Sequence, residues 1–421
     1  MEKKSFVSIV DKYFGRFLVS ELEIIEPPKE NLSLIVVVPV FNEPDVSSTL
    51  VSLFFNQDKY HFQVEVILIV NNATNSTDAV KKVNKNTYVF LKEFASLNNS
   101  SQISLYPFYV DNLNPKHAGV GWARKIGMDL ALKRFRNLNY NGLIVSLDAD
   151  ATVSSNYLNE INAFFIKSNC SAVSIHFEHP LKGEGYSESH YHYIKLYELH
   201  LRYYKNALAF AGFPYAYHTV GSSFALTAAA YARQGGMNRR KAGEDFYFIN
   251  KLIKGEIFGE IMDAKVIPSP RISDRVPFGT GRALLEAFDG VKNLELTYDF
   301  SIFKCLKKWI DFVSIQNFEY DLFPEKIKKY IAKSEWDNNH LEMFKNSASH
   351  ESYLKRFFTK YDAFWVLKFI HYSRDNFTSN TDLLVNSQSL INQMNLKSFE
   401  NLDEQLELFR IIDQKKGPMA P

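Results

Sequence analysis

The stretch Leu143-Ile144-Val145-Ser146-Leu147-Asp148-Ala149-Asp150-Ala151 decides how the chain is read. Its first half is an apolar, β-branched run of the kind that forms a strand buried on both faces. Its second half brings two carboxylates, one residue apart, to the strand's carboxyl end. Two earlier runs share this character, Leu32–Val40 and Val64–Val70. Stretches with helical spacing, Asp45–Phe55 and Gly121–Phe135, lie among these runs. Strands alternating with helices predict an α/β fold, a mostly parallel sheet with helices on both faces. In such sheets ligands bind beyond the carboxyl ends of the strands, so the residues after each strand are where chemistry is expected. Mg²⁺ and Mn²⁺ are hard cations that take one or two carboxylates together with phosphate oxygens. Asp148 and Asp150 suit a metal held on a diphosphate, although Asp is also common in ordinary turns.

Composition limits the alternatives. A chain of 421 residues allows two or three domains. With 46% hydrophobic and 23% charged residues it is not a largely disordered chain. Lys+Arg at 49 against Asp+Glu at 47 leaves a formal charge of +2, so no global field favours nucleic acid. Two cysteines, Cys170 and Cys305, make neither a disulfide framework nor a thiolate zinc site, and fit a reducing compartment. The apolar runs fall far short of a membrane span. Met1–Phe17 carries Glu2, Lys3, Lys4, Asp11, Lys12 and Arg16 and reads as no signal peptide. The expectation is a soluble, cytoplasmic protein.

Outward from Asp148 and Asp150, each strand end offers a candidate. The first strand leads into Pro39-Val40-Phe41-Asn42-Glu43-Pro44, where Asn42 and Glu43 reach the active edge or simply form a turn. The second leads into Asn71-Asn72, where an Asn meets a base edge or serves as loop chemistry. Pro115–Gly127 opens a helix with Gly119 and Gly121 at its start and Lys116 and Arg124 nearby, as the neighbour of a sugar diphosphate or as a purely structural loop. Its glycines do not follow the dinucleotide fingerprint, which removes the dehydrogenase reading. Gly221-Ser222-Ser223 opens a short strand where a ligand could come close. Glu244 and Asp245 begin a helix, as dipole-stabilised carboxylates or with one as a general base. Six histidines between His176 and His218 match no compact zinc motif, with His218 kept as a pocket candidate. Glu198 and Arg202 are spaced to pair along a helix.

After Ala283 the strand signals fade. Residues 283–421 read as a helical accessory region with a frayed tail after Gln414, and residues 1–30 as a helix and linker. The lysine-rich stretch from Lys304 to Lys333 is either a solvated helix face or a peripheral contact with anionic lipid.

Taken in order, Val36-Val37-Val38-Pro39-Val40-Phe41-Asn42-Glu43, Gly119–Gly127, Asp148-Ala149-Asp150, Gly221-Ser222-Ser223, Gly235-Gly236-Met237 and Glu244-Asp245 resemble family 2 glycosyltransferases of the GT-A fold. The resemblance covers about residues 31–282. It implies a Rossmann-like mixed sheet with helices on both faces, a nucleotide-diphospho-sugar donor, Mn²⁺ or Mg²⁺, and a sugar or lipid-linked acceptor. Pro39, Phe41 and Glu43 would line the nucleotide pocket. Lys116, Arg124, Asp148, Gly221 and Arg275 are further donor-site candidates. Asp150 would be the more direct metal ligand, with Asp148 and His218 as candidates beside it. Asp245 matches the catalytic base of the family's inverting members, and Glu244 would support it or contact the acceptor. Arg271, Arg275 and Arg282 could close over the phosphates on a glycine-hinged loop. The chain departs from the family at Asn71, where members often carry an Asp that accepts from uracil, which opens the choice of base. It also lacks the Gln-x-x-Arg-Trp motif of processive synthases. Two rival readings remain, a sugar-1-phosphate nucleotidylyltransferase and a catalytically silent binding protein. The first would need a glycine-rich basic loop after the first strand, where Phe41-Asn42-Glu43-Pro44 stands.

Overall fold

The computed structural model describes residues 5–116, 118–238, 243–275 and 278–415. The chain divides into two compact units. One comprises Met1–Pro180, Thr219–Arg282 and Gln414–Pro421; the other comprises Leu181–His218 and Ala283–Asp413. Leu181–His218 lies inside the segment read from the sequence as the first domain, yet it packs with the C-terminal helices. His117 and the tail from residue 416, which the sequence reading touched, lie outside the described residues.

The first unit runs α1 (Phe6–Phe17), β1 (Leu32–Val40), α2 (Ser47–Phe54), β2 (Gln63–Ala73), α3 (Asp78–Asn98), β3 (Ile103–Leu113), α4 (Val120–Asn137), β4 (Leu143–Ser146), β5 (Thr152–Val153), α5 (Tyr157–Lys167) and β6 (Ala172–Phe177). After α6 (Glu188–Phe210), which belongs to the second unit, come β7 (Phe224–Thr227), α7 (Ala228–Arg233), α8 (Glu244–Gly255) and β8 (Phe258–Ile267). The eight strands form one sheet in the order β3-β2-β1-β4-β7-β6-β8-β5. β1 runs parallel to β2 and β4, and β7 runs antiparallel to β4 and β6. Every residue of β1 is buried, and every residue of β2 except Ala73, so both faces of the sheet's centre are covered. This is a Rossmann-like mixed sheet, as the sequence leads one to expect.

Three local features set that arrangement. β3 was not read from the sequence, because Pro107 and its aromatic neighbours break the apolar run. As the outermost strand it has one unpaired edge, where a proline's missing N–H need not interrupt a ladder. α4 lies close to β1. A Cβ at Gly127 would come within 2.4 Å of Val37 Cγ1, so only glycine allows that approach. α1 is fastened to the same unit by a buried cluster. The Tyr13 and Tyr231 hydroxyls both donate to Asp129 Oδ1, at 2.6 and 2.7 Å, with the Lys125 ammonium 3.3 Å from Asp129 Oδ2.

The second unit is mostly helical. It contains α6 and most of α9 (Thr280–Phe288), then α10 (Phe300–Ser314), α11 (Glu325–Tyr330), α12 (Lys333–Lys345), α13 (His350–Lys360), α14 (Ala363–Ser373), α15 (Leu383–Gln393) and nearly all of α16 (Leu402–Gln414). A two-stranded ribbon, β9 (Leu296–Tyr298) with β10 (Asn380–Asp382), joins them. Aromatic rings build its core: Trp309 lies 4.9 Å from Phe357 and 5.0 Å from Tyr361, centroid to centroid. Polar groups cross that core in pairs. Arg202 is fully buried and bridges Glu198, as the spacing predicted, and Asp413. A lone buried charge would be costly, so each of these groups depends on its partner.

His200 shows the same constraint from the neutral side. Its Nδ1 lies 2.8 Å from Thr297 Oγ1, and burial, with Lys292 adding, pushes its pKa down to about 4. The unfolded chain protonates this imidazole near pH 6.5, whereas the folded chain resists until about pH 4. Its stabilising contribution is therefore complete above pH 6.5 and is lost progressively as the pH falls to about 4. Urea midpoints measured between pH 7.5 and 4.5 should fall less steeply in His200→Gln than in the wild type. The difference should be on the order of 1–2 kcal/mol.

Candidate functional site

Four segments of the first unit place their charged side chains together at the sheet's carboxyl edge. β1 and β4 are adjacent and parallel, so Glu43 beyond β1 and Asp148 and Asp150 beyond β4 emerge on the same edge. The turn carrying the two aspartates is pinned from α2, where Thr49 Oγ1 donates to the Ala149 carbonyl at 2.8 Å. The turn after β1 is held in a left-handed conformation at Asn42, φ 49°, which Asn tolerates better than most side chains. Its amide donates to Asn84 Oδ1 at 2.7 Å. α8 contributes Glu244 and Asp245 from its first turn, after Gly243 adopts φ 67°. The segment after β8 contributes Arg271 and Arg275.

Arg124, on the first turns of α4, joins two of these segments. Its guanidinium is 3% exposed, and lies 2.5 Å from Asp148 Oδ1 and in a short contact with Glu244 Oε1. Burial works against its charge, but Asp148, Glu244 and Asp245 outweigh that and hold its pKa above the usual range. Burial also raises the carboxyls of Glu244 and Asp245, with Arg124 opposing the shift in both. Asp245 Oδ1 accepts from the Phe246 amide at 2.7 Å. Gly221 provides room for this group. A Cβ there would lie 2.8 Å from both Asp245 Oδ2 and Arg124 Nη1. The Ser146 hydroxyl, donating to the Gly221 carbonyl at 2.7 Å, keeps that backbone in place from β4.

A second knot holds the other half of the edge. Glu43 is 2% exposed, with Oε1 2.8 Å from Arg271 Nη1 and Oε2 3.0 Å from Arg275 Nη1. Arg271 also reaches Asp150, Nη2 to Oδ2 2.5 Å, and Arg275 donates to the Phe41 and Asn42 carbonyls. Burial raises the pKa of Glu43 against the pull of Arg271. Burial likewise raises Asp150 to about 6, with Arg271 opposing and Asp148 and Glu43 reinforcing.

The structure thus gathers Phe41, Glu43, Arg124, Asp148, Asp150, Gly221, Glu244, Asp245 and Arg275 into one connected group. Pro39 is buried in β1 behind it. Asn71 is fully buried at the end of β2; its Nδ2 donates weakly to the Val40 carbonyl at 3.4 Å and its Oδ1 has no partner. Asn84, which the sequence reading did not single out, donates to the Asn71 carbonyl and to Asn72 Oδ1. Its only signal was a polar residue on the apolar stripe of α3 that Leu91 shares. Lys116 is exposed, with its amide on Asn114 Oδ1. His218 is not carried forward as a metal ligand. It belongs to the second unit, where Nε2 meets Asp413 Oδ2 at 3.0 Å and burial pushes its pKa down to about 4.

No group of three or more His, Cys, Asp or Glu side chains placed to hold a metal occurs among the described residues. The donor set at Asp148 and Asp150 fits the other mode of Mg²⁺ and Mn²⁺, in which one or two carboxylates share the ion with phosphate oxygens. No helix among the described residues is long and apolar enough to cross a membrane.

Neither a protein-family model nor a curated protein matches the chain. Among solved structures it is similar to S. aureus TarS 1–349 in complex with UDP-GlcNAc. That likeness has 14% identity over 78% of this chain and 91% of that one, with a TM-score of 0.40. It is also similar to GalNAc-T7 with UDP, GalNAc and Mn²⁺, at 13% identity over 86% of this chain and 61% of that one, with a TM-score of 0.36. Likeness at this level says nothing about the site, whose reading rests on the geometry above.

That geometry makes Arg124 a supporting member as well as a charged one. Arg124→Ala strands Glu244, 3% exposed, and should cost about 3–5 kcal/mol in denaturant unfolding. Adding Glu244→Gln to that variant should restore part of the loss, because the neutral amide no longer needs the cation.

Proposed function

We propose that the chain transfers a sugar from a nucleotide-diphosphate donor to an acceptor hydroxyl. The observation that carries this reading is the convergence at one sheet edge of Glu43, Asp148, Asp150, Glu244 and Asp245 with Arg124, Arg271 and Arg275. It supports a site for a diphosphate, its counter-ion and a base, on the edge where α/β sheets bind ligands. Asp148 and Asp150 would hold Mn²⁺ or Mg²⁺, which when bound neutralises charge on a departing diphosphate.

In this reading each residue has a distinct task. Phe41 and Glu43 shape the nucleotide side, with Asn71 placing an unused acceptor beside it. Arg271 and Arg275 offer guanidinium groups to the phosphates, for which their planar forks are suited. Asp245 takes the proton of the acceptor hydroxyl as it attacks, which inverts the anomeric centre. One of its oxygens is fixed by the Phe246 amide, and burial raises its pKa, which strengthens it as a base. Glu244, tied to Arg124, positions the first turn of α8. A lipid-linked or free sugar would serve as acceptor, with membrane contact peripheral, and a cytoplasmic setting fits the two free cysteines. The sequence motifs favour family 2 chemistry among the GT-A enzymes.

Turnover of UDP-, GDP-, CDP- and TDP-sugars with and without Mn²⁺ tests the proposal. One nucleotide class should be hydrolysed or transferred in a metal-dependent way. Asp245→Asn should lower kcat by about 10²–10⁴-fold while nucleotide binding persists. Absence of turnover with every donor would favour the silent binding protein. Gly221→Ala makes a finer test. The added methyl meets the head groups of Arg124 and Asp245 and no backbone, so it fits only if that brace shifts, and the thermal midpoint should fall while the chain still folds. kcat/KM should also fall at least about tenfold, since misplacement by ~1 Å costs up to ~10²-fold.

A further inference from the structure

Arg271 is held by two carboxylates that have different prospects. Both of its terminal nitrogens contact Glu43, and Nη2 also lies 2.5 Å from Asp150 Oδ2. Its third donor, Nε, is buried and has no partner. Glu43 does not depend on Arg271 alone, because Arg275 Nη1 stays 3.0 Å from Glu43 Oε2. Among the described residues Asp150 has no comparable second partner, since Arg275 Nη2 is 3.8 Å away. The Arg271 head group can therefore leave without stranding Glu43, and its departure frees Asp150. Around it, five carboxylates (Glu43, Asp148, Asp150, Glu244, Asp245) face three guanidinium groups (Arg124, Arg271, Arg275). Among the described residues the cluster is short of positive charge, and withdrawing Arg271 would deepen that shortage by one charge.

We propose that Arg271 is a resident counter-ion on Asp150, so that a divalent cation and this guanidinium compete for the same carboxylate and a nucleotide diphosphate resolves the competition by taking the guanidinium. The inference rests on the donor-site reading above and adds an order to it. A diphosphate offers Arg271 new acceptors, including one for the idle Nε. Asp150 is then released to the cation, and the diphosphate supplies the remaining oxygen ligands. Binding of the two is positively coupled, and the coupling is equal in both directions by linkage. Arg271 is in this sense a positioning residue, whose role is read in metal affinity as well as in turnover.

The test is a titration of the full chain with Mn²⁺, followed by electron paramagnetic resonance or calorimetry, alone and with UDP, GDP, CDP or TDP. Wild type should bind Mn²⁺ weakly alone and at least about tenfold more tightly with the matching diphosphate. Arg271→Ala should bind Mn²⁺ alone about tenfold more tightly than wild type, and the gain from the diphosphate should shrink to about threefold or less. Arg271→Lys keeps a charge but loses the planar fork, so it should fall between the two and serves if the alanine variant does not fold. Unchanged Mn²⁺ affinity in both variants, with diphosphate binding retained, would overturn the competition and leave the donor site standing. If neither Mn²⁺ nor any diphosphate binds wild type or variants, the donor-site reading fails and the competition with it.

Discussion

A guanidinium almost wholly removed from water, that of Arg124, ties the carboxyl end of β4 to the first turn of α8 through Asp148 and Glu244. Both partners are needed, because a buried charge without a hydrogen-bonded counter-charge is costly. The pairing also dictates details elsewhere. Gly221 lacks a side chain where one would strike Arg124 and Asp245, and Ser146 fixes the Gly221 carbonyl from β4. Position 127 is glycine so that α4, which carries Arg124, can lie against Val37 of β1. Sheet, helix and site are thus set by the same close approaches.

The second knot, Glu43 between Arg271 and Arg275, works by the same electrostatics with a different outcome. Each arginine leaves a buried Nε without a partner, but Arg124 spans Asp148 and the buried Glu244, whereas Arg271 shares its buried carboxylate, Glu43, with Arg275. One arginine therefore acts as a fixed brace and the other as an exchangeable charge. On the donor-site reading, a site that admits a highly charged ligand needs both, since bracing alone would leave no group free to respond. The second unit also buries its charges in pairs. Arg202 there is enclosed by Glu198 and Asp413, and the acid is held well below the usual carboxylate range by Lys205, His218 and Arg202 despite its burial.

Much of this was legible in the sequence where the signal was local. The apolar runs of β1, β2 and β4 follow directly from β-branched residues, and Asp148 and Asp150 stand out because carboxylates seldom end such a run. Glu198 and Arg202 declared their pairing by helical spacing. β3 was hidden because Pro107 disguises a strand whose edge position makes that proline harmless. Leu181–His218 reads as part of the sheet domain because sequence order says nothing about which core a helix joins. The bridging by Arg124 could not be read either, since its partners lie 24 and 120 positions away. His218 attracted attention as a histidine near a glycine-rich step, but its engagement with Asp413 depends on a residue 195 positions distant.

The central claim is that the sheet edge between β1 and β4 is a donor site closed by the segment after β8. Amide hydrogen exchange of the full chain, with and without Mn²⁺ and a nucleoside diphosphate, tests it most directly, because it reports where a ligand acts without assuming turnover. The account predicts slower exchange in peptides covering residues 39–45, 147–151 and 269–275, with little change across α10 to α15. Protection confined to the helical unit, or none in those three segments while the nucleotide demonstrably binds, would contradict it.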